Sequence, residues 1–112
     1  MYGLSRNINL NFFIGKKLEF IGLGKSSIIM KFDEKVEISI ETIFTFNNKL
    51  LEPKDGHLLH ELLRKKIISA KHGKKNGDLE LEFEGDNSLI LHDDSKQYQS
   101  YNFWSPEGLV VV

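Results

Sequence analysis

Cysteine is absent from this 112-residue sequence, which excludes a disulfide framework and a thiolate zinc site and fits a reducing compartment. Proline occurs only twice, so few positions forbid a ladder hydrogen bond. No apolar run approaches the roughly 20 residues that cross a bilayer as a helix. The opening stretch, MYGLSRNINL, lacks the basic start, unbroken apolar core and small-residue cleavage site of a signal peptide. A cytoplasmic location is therefore expected. Charge of one sign is not in excess either. Lysine and arginine total 15 against 16 acids, for a formal net charge of -1, so no global field draws in nucleic acid.

What remains is a hydrophobic content of 40% with a mean hydropathy of -0.29, the balance of a soluble globular protein. A chain this long buries about two-thirds of its unfolded surface without staples. One domain spanning residues 1–112 is expected.

Along the chain, alternation dominates. Ile8, Leu10, Phe12 and Ile14 read as a half-buried strand. Leu18 and Phe20 then share one face of a second. Ile28, Met30 and Phe32 alternate, Asp33-Glu34-Lys35 turns, and Val36, Ile38 and Ile40 return. Ile43, Phe44 and Phe46 follow after a bend. Residues 47–56 read as a polar connection. Leu58, Leu59, Leu62 and Leu63 then mark one face of an amphipathic helix, with Asp55 as N-cap or first-turn acid and Arg64, Lys65 and Lys66 at its negative end. Beyond it Ile67, Ile68 and Ala70 begin a strand and residues 73–77 turn. Leu79, Leu81 and Phe83 pair with Leu89 and Leu91. A last hairpin joins Tyr101–Trp104 to Leu109–Val112 across Ser105-Pro106-Glu107-Gly108. The fold class is mainly β (α+β): an antiparallel sheet or sandwich of meanders and hairpins with one amphipathic helix packed on it.

A faint repeat at about fifty residues runs through this pattern. Lys-Lys followed by Leu or Ile occurs at Lys16 and at Lys65, and the alternating pairs of strands recur after each. Two similar meanders joined through the helix are one reading; the general likeness of any two meanders is the other.

Catalytic motifs are not evident. Gly22-Leu23-Gly24-Lys25-Ser26 lacks the spacing and strand-to-helix setting of a phosphate loop, and no serine or threonine sits in a nucleophile elbow. His57 and His60 are three apart rather than the four that suits a metal-binding helix, and His72 and His92 fall near turns. All four read as surface histidines; no catalytic, cofactor or metal residue is expected. The lysines from Lys65 to Lys75 interleave no aromatic for base stacking. Glu80, Glu82 and Glu84 instead project from one strand face, followed by Asp86 and, after the next strand, Asp93 and Asp94. Such a stripe suits a basic protein surface, where complementary charge speeds encounter and selects partners; a solvated strand face is the plainer alternative. Phe103 and Trp104 lie on opposite faces, Phe103 as core and Trp104 as either core or an interface anchor.

The run Leu79-Glu80-Leu81-Glu82-Phe83, Leu89-Ile90-Leu91, Asp93-Asp94, Tyr98-Gln99-Ser100-Tyr101-Asn102-Phe103, Pro106-Glu107-Gly108-Leu109-Val110-Val111 resembles the C-terminal half of a family of small bacterial domains of unknown function. The chain as a whole is similar, in size and Asn/Lys/Ile-rich composition, to immunity proteins of bacterial contact-dependent growth inhibition and related toxin systems. That resemblance implies a specific inhibitor of a toxin domain, often a nuclease, with no cofactor. The expected partner is a cognate toxin, and the expected contact residues are Glu80, Glu82, Glu84, Asp86, Asp93, Asp94 and Trp104. The alternative is a small structural domain that self-associates as a homodimer through a sheet edge or the Trp104 face. A nucleic-acid-binding module ranks third, and no membrane partner is expected.

Overall fold

The computed structural model describes residues 4, 8–75, 77–93, 100–105 and 108–112. Among these described residues ten strands form two five-stranded antiparallel sheets. The first half supplies β1 (Leu18–Leu23), β2 (Ile28–Phe32), β3 (Glu37–Ile40), β4 (Phe44–Phe46) and β5 (Lys49–Leu51). The second supplies β6 (Ile67–His72), β7 (Leu79–Phe83), β8 (Asn87–Leu91), β9 (Tyr101–Ser105) and β10 (Gly108–Val111). One sheet has the order β1-β2-β3-β9-β10 and the other β5-β4-β8-β7-β6. Their inner faces share one core, in which Ile28, Met30, Ile38, Leu79, Leu81, Leu89 and Phe103 are fully buried. Each such side chain contributes about 1.5–3 kcal/mol of transfer free energy.

The strand orders show how the two halves relate. Each half makes a three-stranded meander and then sends its last hairpin into the other half's sheet. Exchanging β1–β5 for β6–β10 reproduces the same pairing scheme. Details repeat as well. A register shift between Leu18 and Phe20 has its counterpart between Ile67 and Ser69. The turn at Glu34 and Lys35 is left-handed, as is the matching turn at Gly85 and Asp86. Lys17 and Lys66, the same position in each half, pair with each other in an antiparallel bridge. Around it Leu18 N–H donates to the Lys65 carbonyl and Ile67 N–H to the Lys16 carbonyl. An antiparallel ladder centred on its own equivalent has two-fold symmetry, as in an isologous contact. Asp33 accepts the Lys17 N–H at 3.1 Å, and Glu84 accepts the Lys66 N–H at 2.7 Å. Phe32 and Phe83, also equivalent, stack with centroids 6.3 Å apart. The faint sequence repeat thus corresponds to a structural one, carried by paired turns, bulges and core positions.

The helical segments differ from the sequence expectation in kind. Pro53–Leu62 is a ten-residue 3₁₀ helix. With three residues per turn, positions three apart stack on one face, and Gly56, Leu59 and Leu62 are the buried ones while Leu58 is exposed. Asp55 acts in the first turn, accepting the Glu52 N–H at 3.1 Å. The same period replaces the strand expected at residues 8–14. Asn11–Phe13 is a 3₁₀ turn that buries Leu10 and Phe13 and leaves Ile14 exposed. Phe13 wins this arrangement by packing edge-on against Phe103 at 5.2 Å and beside Phe12 at 4.2 Å. The expected polar connection at residues 47–56 contains a hairpin instead. Asn47 and Asn48 have φ of 50° and 68°, the left-handed pair of a tight hairpin turn that asparagine tolerates, and β5 returns against β4. Leu18 and Phe20 do not share a face, because the bulge between them turns Phe20 outward.

Candidate functional site

Alternation places Glu80 and Glu82 on the outer face of the β5-β4-β8-β7-β6 sheet, between inward-facing Leu79, Leu81 and Phe83. Across the ladder Glu80 faces Lys71 and Ile90, and Glu82 faces Ser69 and Ser88. Asp86, exposed in the β7–β8 turn, joins Glu80 and Glu82 around an open cleft of about 290 Å³ that Asn48, Ser88 and Ile90 also line. None of these three carboxylates forms an ion pair with a described residue, so their charge is available to a cation from outside. Glu84 lies next to them in sequence, but its carboxylate is committed to the Lys66 N–H.

Asp93 does not extend this stripe. It has the parity of inward-facing Leu91 and accepts the Ser100 hydroxyl at 3.4 Å. It belongs to a polar cluster at the opposite end of the β7–β8 hairpin from Asp86. At its centre Asp78, nearly buried, accepts the Asp93 N–H at 3.0 Å and lies 3.0 Å from His92 Nδ1. His92 Nε2 is 2.7 Å from Thr45 Oγ1. A carboxylate oxygen accepts, so Nδ1 is the donor toward Asp78, and Nε2 shares a hydrogen bond with the threonine hydroxyl. The connectivity of hydroxyl, imidazole and carboxylate is that of hydrolytic relays; here the same contacts tie the ends of β4, β7 and β8 together. Beside them the Tyr101 hydroxyl donates to the Gly77 carbonyl at 2.5 Å. Burial, with smaller contributions from the Asp78 and Asp93 charges, pushes the Tyr101 phenol well above its ordinary pKa.

His92 is therefore half-buried and held by two side-chain contacts rather than free on the surface. His72 is likewise half-buried, with Nε2 3.1 Å from the Ile8 carbonyl. Sequence reasoning missed both because their partners are 14 to 64 positions away in the chain. His57 and His60 are exposed on the 3₁₀ helix. Among the described residues no group of three or more histidine, aspartate or glutamate side chains is placed to hold a metal ion. No helix among them is long and apolar enough to cross a membrane. The glycine-rich stretch at residues 22–27 forms the end of β1 and its turn into β2.

Trp104 lies on the other sheet. Phe103 points into the core and is fully buried, whereas Trp104 is 47% exposed. Its outer face carries an unbroken cross-strand row, Phe20, Lys31, Glu37, Trp104 and Leu109, one residue from each strand. Lys31 Nζ sits 5.4 Å from the Phe20 ring centroid and 3.8 Å from Glu37 Oε1. The candidate residues thus divide among four places: Glu80, Glu82 and Asp86 at the cleft, Glu84 at the Lys66 N–H, Asp93 in the polar cluster, and Trp104 on the opposite sheet. Asp94 falls outside the described residues.

The two outer faces differ at positions whose inward neighbours are alike. Met30 and Leu81 are equivalent, as are Phe32 and Phe83, and all four are apolar and buried. Their outward neighbours Ile29 and Lys31 have Glu80 and Glu82 as counterparts. Compared with known proteins, the chain matches no family model, no curated protein and no solved structure.

Proposed function

We propose that this chain is a non-catalytic binding module of the immunity type, which neutralises a toxin domain by presenting the Glu80–Glu82–Asp86 cleft to a basic surface. The observation that carries this reading is the convergence of three unpaired carboxylates on one concavity of a two-sheet scaffold. A nuclease domain is a fitting target, because its substrate groove must be cationic to hold phosphates. Occupying that groove with carboxylates competes directly with nucleic acid. Asn48 and Ser88 at the rim add neutral hydrogen-bonding groups that lysine or arginine side chains can use. An interface of standard size buries about 800 Å² per partner, so the cleft would be its centre and neighbouring β4–β5 residues its rim.

The test begins with the gene immediately upstream. If it encodes a large secreted toxin, the toxin's C-terminal domain is purified and titrated with this protein by calorimetry. Glu80→Lys with Glu82→Lys should weaken binding by about tenfold or more, chiefly at low ionic strength, while the melting temperature is retained. Unchanged affinity in the double variant removes this cleft as the contact surface. Failure to bind at all removes the inhibitor reading.

A further inference from the structure

We propose that the outer face of the β1-β2-β3-β9-β10 sheet is a homodimer interface, occupied by a second copy of this chain. Phe20, Trp104 and Leu109 are each about half exposed, at 50%, 47% and 49%, and Ile29 is 37% exposed. They form two apolar patches on an open sheet face, Phe20 with Ile29 and Trp104 with Leu109, on either side of β3, and exposed apolar patches rimmed by polar residues mark interaction surfaces. The equivalent face of the other sheet replaces Ile29 and Lys31 with Glu80 and Glu82, so the scaffold does not itself require apolar residues here.

The order of residues in the row identifies the occupant. From β1 to β10 it reads aromatic, positive, negative, aromatic, aliphatic: Phe20, Lys31, Glu37, Trp104, Leu109. A two-fold axis lying in the interface and running along the strands, between β2 and β3, reverses this order in the facing copy. Lys31 then meets the partner's Glu37, and Phe20 meets the partner's Trp104. Both charged side chains keep solvent-accessible area within one copy, 56% for Lys31 and 32% for Glu37. Each can therefore add a second ion pair to the 3.8 Å contact it already makes. Face-to-face sheet packing at about 10 Å separation accommodates side chains of this size. A binder of different sequence would need a complementary pattern of its own; this row already contains its complement.

With this axis β1, β2, β3 and β9 face the partner and Leu109 lies at the rim; four strands at about 4.8 Å spacing make a face about 15 Å wide, which is small for a specific interface. A dissociation constant in the micromolar range is expected, with the Glu80–Glu82–Asp86 cleft left open on the far side of each copy. The dimer and the inhibitor activity are therefore separable.

Sedimentation equilibrium over a concentration series from low micromolar to millimolar tests the proposal. The wild-type chain should pass from monomer to dimer with no higher species. Trp104→Ser should remain monomeric throughout, and so should Lys31→Glu, which sets like charges against the partner's Glu37. Lys31→Glu combined with Glu37→Lys should restore dimerisation to within a few-fold of wild type. Thermal melts of the variants at low concentration establish that each is folded. A wild-type monomer at every concentration overturns the proposal. So does a dimer that survives Lys31→Glu, since pairing through the β5 or β10 edge strand would ignore that charge.

Discussion

Tyr101 offers a test of the polar cluster in which one atom is removed and two consequences follow. Its side chain is fully buried, and its hydroxyl is 2.5 Å from the Gly77 carbonyl oxygen. Gly77 has φ of 93° and ends the loop between β6 and β7, so the phenol pins that loop to β9. Tyr101→Phe keeps the ring packing and deletes only the oxygen. The buried Gly77 carbonyl then loses its donor, at a cost of about 1–3 kcal/mol. In a domain of this size about 1 kcal/mol lowers Tm by roughly 4 °C. The second consequence appears in alkali. Burial, then the charges of Asp78 and Asp93, raises the folded phenol above its unfolded value of 10.0. An acid whose folded pKa is raised contributes stability that is complete below the unfolded value. That contribution is lost as pH climbs from there toward the folded value. The slope is one proton, about 1.4 kcal/mol per pH unit. Urea unfolding of both proteins between about pH 8 and pH 11 should show wild type more stable at the lower end, and the gap narrowing above pH 10. Parallel stability profiles for the two proteins would refute the assignment of a buried, protonated phenol bonded to Gly77.

Other consequences can be checked with the same melts. Gly56→Ala places a Cβ 2.8 Å from two carbons of the fully buried Ile28 and 2.8 Å from Leu23 Cδ2; overpacking should cost about 1–2 kcal/mol net of the gain in chain stiffness. Deleting residues 110–112 removes the buried Val112, whose carbonyl accepts the Ser100 N–H and whose N–H donates to Tyr101. The truncated chain should lose its cooperative transition, and a cooperative melt would show that β9 holds without this edge.

Much of the architecture was legible because alternation with period two has a direct physical cause. Side chains on a strand point to opposite faces, so a half-buried strand writes its burial into the sequence. Ile28–Phe32, Glu37–Ile40 and Leu79–Phe83 follow it at every core position, and Asn87–Leu91 follows it except at the buried Asn87. The β4–β5 hairpin was legible in principle from Asn47-Asn48 between Phe46 and Leu50, but its strands of three residues are too short to show a period. The 3₁₀ segments could not be separated from a strand or an α-helix by pattern, since Leu58, Leu59, Leu62 and Leu63 fit an α-helical face as well as Gly56, Leu59 and Leu62 fit the observed one.

By itself, then, the sequence determined the strands whose alternation is long enough to read, the facing of their core residues, and that Glu80 and Glu82 share an outward face. Those are consequences of local geometry. Only the tertiary structure decided that each half lends its last hairpin to the other's sheet, because strand order depends on pairings between residues far apart in the chain. That exchange puts Trp104 beside Glu37 in a row with Phe20 and Lys31, and puts the glutamates on the opposite sheet. It also brings Thr45, Asp78 and His92 within hydrogen-bonding distance, a cluster whose three members come from β4 and the ends of β7 and β8. No local pattern could mark Thr45, since its hydrogen bond to His92 forms only once β4 has paired with β8, nearly fifty residues further along the chain.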